Sequence, residues 1–266
     1  MAKNQVAVNP IARLKAVLGA ESVRKQFENA LNENAGAFVA SVIDLYSSDN
    51  YLQKCDPNKV VMEALKAATL KLPINKQLGF AYIVPYKNVP QFQIGYKGYI
   101  QLAMRTGQYK YLNSGTVFEG VNVASDLLTG ATTFSGEPTS NKPQGYFAHL
   151  ELINGFSKTV YMPKDDVIAH AKQYSASYKF DNSAWKTNFD EMAEKTVIRR
   201  LLSKFGFLST EMITALTSDS DTHEGEIASE IEANANTETI DIEAMVQEEC
   251  SGEGLELEPE QDGPGF

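Results

Sequence analysis

The sequence is short of the side chains on which most covalent and metal chemistry depends. It holds three histidines, two cysteines and one tryptophan in 266 residues. His149, His170 and His223 fall on a predicted strand, a predicted helix and an acidic C-terminal segment, and none has a partner at metal-ligand or triad spacing. Cys55 and Cys250 are far apart and outside any ligand spacing, so free thiols in a reducing compartment are expected. No GxxxxGK[ST] phosphate loop occurs, which leaves ATP-driven chemistry without a seat. Asp165 and Asp166 follow Pro163, where acids favour a helix start, and read as helix-start residues rather than a metal site. No run approaches the ~18 apolar residues of a membrane span, and the opening MAKNQVAVNP has no secretory apolar core. The expectation is a cytoplasmic protein with no cofactor, no metal, no membrane contact and no covalent catalytic site.

From Ser218 onward lysine and arginine are absent, while sixteen Asp or Glu accumulate. The net charge of −10 therefore hides an asymmetry, because residues 1–217 hold all 24 basic residues against 18 acids. A basic body beside an acidic tail points toward nucleic acid. Two domains are expected: a binding core over 1–217 and a disordered acidic tail over 218–266. Aromatics vanish from that tail until Phe266, and such a composition buries too little apolar surface to offset its chain entropy. Its one apolar island is IDIEAMV, 240–246. The tail could solvate the protein, compete with nucleic acid for the core's cations, or dock through its terminal Phe as an acidic tip.

Apolar spacing predicts helices over 11–18, 22–31 and 37–46, and a fourth from Asp56-Pro57 to about residue 70, with Asp as N-cap. Alternation predicts strands over 77–85, about 109–119, 131–135, 145–152 and 157–162, with Asn154-Gly155 turning the last pair. A helix follows over 164–174, then a polar loop holding two aromatics over 175–183, then a long helix from about Thr187. Helices and hairpins are segregated, so the fold class is α+β: an N-terminal helical layer, antiparallel hairpins, and a central and a long basic C-terminal helix.

Two stretches carry the functional signal. The first, FQIGYKGYIQLAMRTGQ over 92–108, runs from a strand through Gly95 and Gly98 into an amphipathic helix. Lys97, Gln101 and Arg105 form an i, i+4, i+8 column suited to phosphate. Tyr96 and Tyr99 suit either the core or a stacking face. GYKG matches the GxxG spelling of a nucleotide-clamping loop. The second stretch is the long helix, where Lys195, Arg199, Arg200 and Lys204 share a half-surface with Thr196 and Ser203, and no carboxylate of the helix lies among them. A phosphate backbone would supply the missing countercharge, and a dipole-matched solvated face is the alternative. Trp185, beside Lys186, is either a core anchor or a base-stacking platform, and Lys87 sits in the turn at 86–88.

In order, LGFAYIVPY (78–86), FQIGYKGYIQLAMRTGQ (92–108), the strand pair ending in VYM (160–162) and WKTNFDEMAEKTVIRRL (185–201) resemble the RecT family of phage-type single-strand annealing proteins. The resemblance spans roughly 12–207. It implies ATP-independent coating and annealing of single-stranded DNA in homologous recombination, without sequence specificity, with strand invasion as a related activity. It also implies a homo-oligomer, as a ring or helical filament, holding single strands and the annealed duplex in a basic groove in the bacterial cytoplasm, associated with the nucleoid. A phage 5′→3′ exonuclease and the host single-strand-binding protein are the implied partners. The expected DNA contacts are Lys87, Tyr96, Lys97, Arg105, Trp185, Lys186, Lys195, Arg199, Arg200 and Lys204. A passive single-strand coat would share those contacts and lack annealing.

Overall fold

The computed structural model describes residues 9–175, 177–181 and 183–219, all within one unit, Met1–His223. The expected disordered tail lies outside these residues from Ser220 onward.

Four helices open the chain: α1 (Pro10–Gly19), α2 (Glu21–Leu31), α3 (Ala35–Ser48) and α4 (Pro57–Thr69). Asp56 caps α4 as its carboxylate accepts the Asn58 N–H at 3.1 Å, and Pro57 presets the first turn. The helix closes with Lys71 at φ 52 and the Leu72 N–H returned to the Ala67 carbonyl, which satisfies end groups before Pro73. Leu14, Phe27, Val42, Tyr46, Val60 and Val61 face inward to a shared core. Full burial contributes about 1.5–3 kcal/mol for each large aliphatic or Phe side chain, and this holds together helices too short to persist alone.

The hairpin β1 (Ala81–Tyr86) and β2 (Val89–Ile94) pairs Tyr86 with Val89 across Lys87 and Asn88. Both turn residues have positive φ, 48 and 63°, the primed-turn geometry that matches strand twist. β2 feeds directly into α5 (Tyr96–Arg105). A three-stranded antiparallel sheet follows, in the order β3 (Tyr109–Phe118), β6 (Pro143–Leu152), β7 (Ser157–Pro163). The small hairpin β4 (Asn122–Ser125) and β5 (Thr132–Ser135) interrupts it. Then come α6 (Lys164–Tyr174), the single turn α7 (Ala184–Thr187), α8 (Phe189–Phe205) and α9 (Thr210–Ser218). α8 lies on β6 and β7, burying Val197, Ile198, Leu201 and Leu202, and also packs against α5. The fold is α+β, with the helical layer and the segregated antiparallel hairpins that the sequence predicts. It differs in having β4, α9 and the separate turn α7 ahead of the long helix.

Candidate nucleic-acid interface

Gly95 and Gly98 set the geometry where β2 becomes α5. A Cβ on Gly95 would stand 2.1 Å from the Gly79 carbonyl oxygen, and one on Gly98 would stand 2.2 Å from that of Phe80. The Gly95 N–H also bonds the Phe80 carbonyl, at 3.0 Å. The two glycines of GYKG therefore let the chain before β1 pass directly against the start of α5. The absent side chains make room for backbone, which accounts for both glycines of the motif.

That close passage leaves a groove of about 400 Å³ between the β1–β2 hairpin and the first turns of α8. Tyr82 and Val84, on one face of β1, form one wall with Gln93 and Ile94 of β2. Asn188, Glu191, Met192 and Lys195, spaced along one face of α8, form the other. Tyr96 and Lys97 stand at the α5 end, and Lys76 and Gln77 lie on the approach to β1. The Lys97 stem passes Gly79 beside the Tyr82 hydroxyl; both come within 3.4 Å of where a Gly79 Cβ would be. Burial raises the pKa of Tyr82 and of Tyr96, and Glu191 adds to both. Both phenols stay neutral hydrogen-bonding rings at physiological pH.

Beyond Val84 the same hairpin face ends in an alternation of rings and cations. Tyr86 meets Phe180 edge-on with centroids 6.0 Å apart. Lys87 lies over Tyr86 at 5.6 Å, Lys179 over Phe180 at 5.6 Å, and Lys186 over Tyr178 at 4.5 Å. Tyr178 continues inward to Trp185, Phe189 and Tyr146, with successive centroids about 6 Å apart. Rings beside exposed ammonium groups suit a single strand, whose bases offer π-faces and whose backbone offers phosphates.

The ten residues singled out by sequence do not form one surface. Lys87, Tyr96, Lys97 and Lys186 lie along the groove and its aromatic extension. Arg200 and Lys204 are exposed further along α8, where Arg200 Nη1 approaches Met162 Sδ at 3.5 Å and Lys204 lies over Phe205 at 5.5 Å. Arg105 is committed elsewhere: its guanidinium donates to the Leu70 and Lys71 carbonyls at 2.7 and 2.8 Å, at the end of α4. Arg199 is half-buried and reaches the Leu216 carbonyl at 3.5 Å.

Two residues are corrected outright. Trp185 is only 4% exposed and anchors the aromatic chain, so no base can stack on it in this conformation. Lys195 is buried, and its ammonium pairs with Asp219 at 3.1 Å. Part of the countercharge absent from α8 itself comes from Asp219, just past α9 and 24 residues further on. Tyr82, Tyr86, Lys179 and Phe180 join the groove and its aromatic extension beside the residues singled out by sequence. Of these, Lys179 and Phe180 carry a sequence signal, the interleaving of rings and lysines over 177–186.

The site is an aromatic, lysine-rimmed groove on an α+β body. The chain belongs to the RecT family, whose profile matches residues 36–236. It is 45% identical over 240 residues to the uncharacterized protein YqaK of Bacillus subtilis (strain 168), covering 90% of this chain and 82% of YqaK. It is 30% identical over 179 residues to Protein RecT of Escherichia coli (strain K12), covering 63% of this chain and 65% of that protein. Membership in the family gives a general role in DNA recombination by single-strand annealing, in a group whose annealing proteins are generally non-catalytic, with DNA binding and oligomerisation as family traits. Among the described residues no helix is long and apolar enough to cross a membrane, and no cluster of three His, Cys, Asp or Glu is placed to hold a metal.

Proposed function

We propose that this protein binds single-stranded DNA along the groove between the β1–β2 hairpin and α8 and anneals complementary strands without ATP. The carrying observation is the run Lys97–Tyr96–Tyr82 continuing into Tyr86–Phe180, with Lys87, Lys179 and Lys186 beside it. Lysines would neutralise phosphates while the rings stack on bases, contacts that carry no sequence information. Arg200 and Lys204 would extend the phosphate contact along α8. Arg105, held by two carbonyl oxygens, and Arg199, half-buried beside the Leu216 carbonyl and the Tyr99 hydroxyl, would contribute positive potential rather than direct contacts.

On this reading the protein acts as a homo-oligomer, a ring or helical filament, that holds single strands and then the annealed duplex. It works in the bacterial cytoplasm beside a phage 5′→3′ exonuclease and the host single-strand-binding protein, with strand invasion as a related activity. Photo-crosslinking to mixed-sequence oligonucleotides tests the seat of the DNA. Crosslinked peptides should contain Tyr82, Tyr86, Tyr96 or Phe180. Crosslinks confined to the β3–β6–β7 sheet or to α1–α3 would overturn the assignment.

A further inference from the structure

Asp219 is the first acid of the acidic segment, yet it is 1% exposed. It sits at the C-terminal end of α9, where a negative charge opposes the helix dipole, and its burial carries a desolvation cost. Groups on α5, β2 and α8 offset that cost. The Tyr99 hydroxyl of α5 donates to Oδ2 at 2.8 Å, and the Ile94 N–H at the end of β2 donates to Oδ1 at 3.3 Å. Lys195 of α8 pairs with Oδ2 at 3.1 Å. Tyr99 is fully buried and Lys195 is 7% exposed, so this is a built polar centre rather than a surface pair.

These partners belong to the two sides of the groove. Ile94 and Lys195 line it directly, on β2 and α8, and Tyr99 lies one turn beyond Tyr96 on α5. Buried ion pairs seldom outperform apolar packing for stability, so the pair's specific contribution is geometric.

We infer that Asp219 is a positioning residue: its carboxylate fixes the β2–α5 side of the groove against α8 and so sets the width available to the strand. The inference rests on the groove's proposed role for its DNA readout and on the structure alone for its mechanical part. Compositionally the residue belongs with the acidic tail, but mechanically it is the last bolt of the binding core.

The test uses the full chain with Asp219→Asn and with the double substitution Asp219→Leu, Lys195→Met, which replaces the pair by apolar groups and guards against simple unfolding. Amide hydrogen exchange is measured first, without DNA. In both variants exchange at Ile94 and Gly95, whose N–H groups are bonded to Asp219 and to the Phe80 carbonyl, should quicken at least tenfold while the β3–β6–β7 sheet is unchanged. Unchanged exchange at Ile94 would overturn the clamp whatever happens to binding.

Single-strand affinity is then measured well below each variant's unfolding temperature, where a merely stabilising residue leaves Kd alone. The inference predicts a Kd raised about tenfold in the double variant. A loosened Ile94 with wild-type Kd would overturn the positioning role. A wild-type protein that binds no single strand would instead count against the groove's proposed function, and the exchange result would still decide the clamp.

Discussion

Tyr86 at the tip of the β1–β2 hairpin meets Phe180 edge-on, 6.0 Å between ring centroids, and so joins two segments 94 positions apart. Phe180 is 37% exposed, and each ring has a lysine ammonium beside it. Partial exposure of paired rings is unfavourable for a protein in water and useful for one that stacks bases. Alanine at either position should weaken single-strand binding by roughly 1–3 kcal/mol, the usual contribution of one base–ring stack. Thermal unfolding should move little, because neither ring is in the main core. Fluorescence anisotropy with a labelled oligonucleotide reads the first effect and a melting curve the second.

Lys97 and Lys195 face the same groove and should behave oppositely. Lys97 is exposed, so Lys97→Ala should change stability by no more than about 0.5 kcal/mol while lowering the log–log salt slope of single-strand binding by about 0.7. Lys195→Ala removes the ammonium paired with a buried carboxylate and should cost up to roughly 3–5 kcal/mol in urea unfolding. Equal stability losses would mean the two faces have been misassigned.

Arg105 should act as a structural residue. Its two short bonds to the Leu70 and Lys71 carbonyls tie α5 to the end of α4. Each is a charge-assisted hydrogen bond, so Arg105→Ala should destabilise by roughly 1.5–3 kcal/mol with little change in DNA affinity at temperatures where the variant is folded. A large loss of affinity without loss of stability would return it to the DNA contact set.

Much of this architecture was legible because it is local. Asp56-Pro57 starts α4, residues 86–88 turn a hairpin, and the 164–174 helix matches α6 end to end. The column Lys97, Gln101, Arg105 does lie on the exposed side of α5. What sequence could not supply are relationships across the chain. Nothing in α8 reveals that Asp219 returns to pair with Lys195, because Asp219 shares the composition of the acidic run after it. α9 is nine residues rich in Thr and Ser, with weak helix propensity, and is held by Met212, Ala215 and Leu216 packing into the core. Gly95 and Gly98 read as a nucleotide loop because the Gly79 and Phe80 carbonyls that need them lie outside the motif.

Those glycines give a sharp check. Alanine at Gly95 or Gly98 would place a methyl within 2.2 Å of a backbone oxygen, which cannot move as a side-chain tip can. Each variant should lose several kcal/mol, beyond the ~1–3 typical of an overpacked core. Native-like melting of either would show that the hairpin and α5 are not in this close contact.

Asp49 should shape acid stability. Burial alone would raise its pKa, but the Lys76 ammonium at 2.8 Å and the N–H groups of Leu52 and Tyr51 together bring it below the ordinary value of 3.8. A lowered folded pKa contributes stability above the unfolded value, and that contribution is lost as pH falls through the folded value. The wild type should therefore lose melting temperature more steeply than Asp49→Asn below about pH 4. Parallel curves would remove Asp49 from the account.

The most direct test of the central claim mixes complementary fluorophore-labelled oligonucleotides with the protein in the absence of nucleotide. The account predicts pairing well above the spontaneous rate, no change on adding ATP, and a loss of acceleration in Lys97→Ala and Phe180→Ala. Strands that become coated yet pair no faster than in buffer would contradict it and leave a passive single-strand coat.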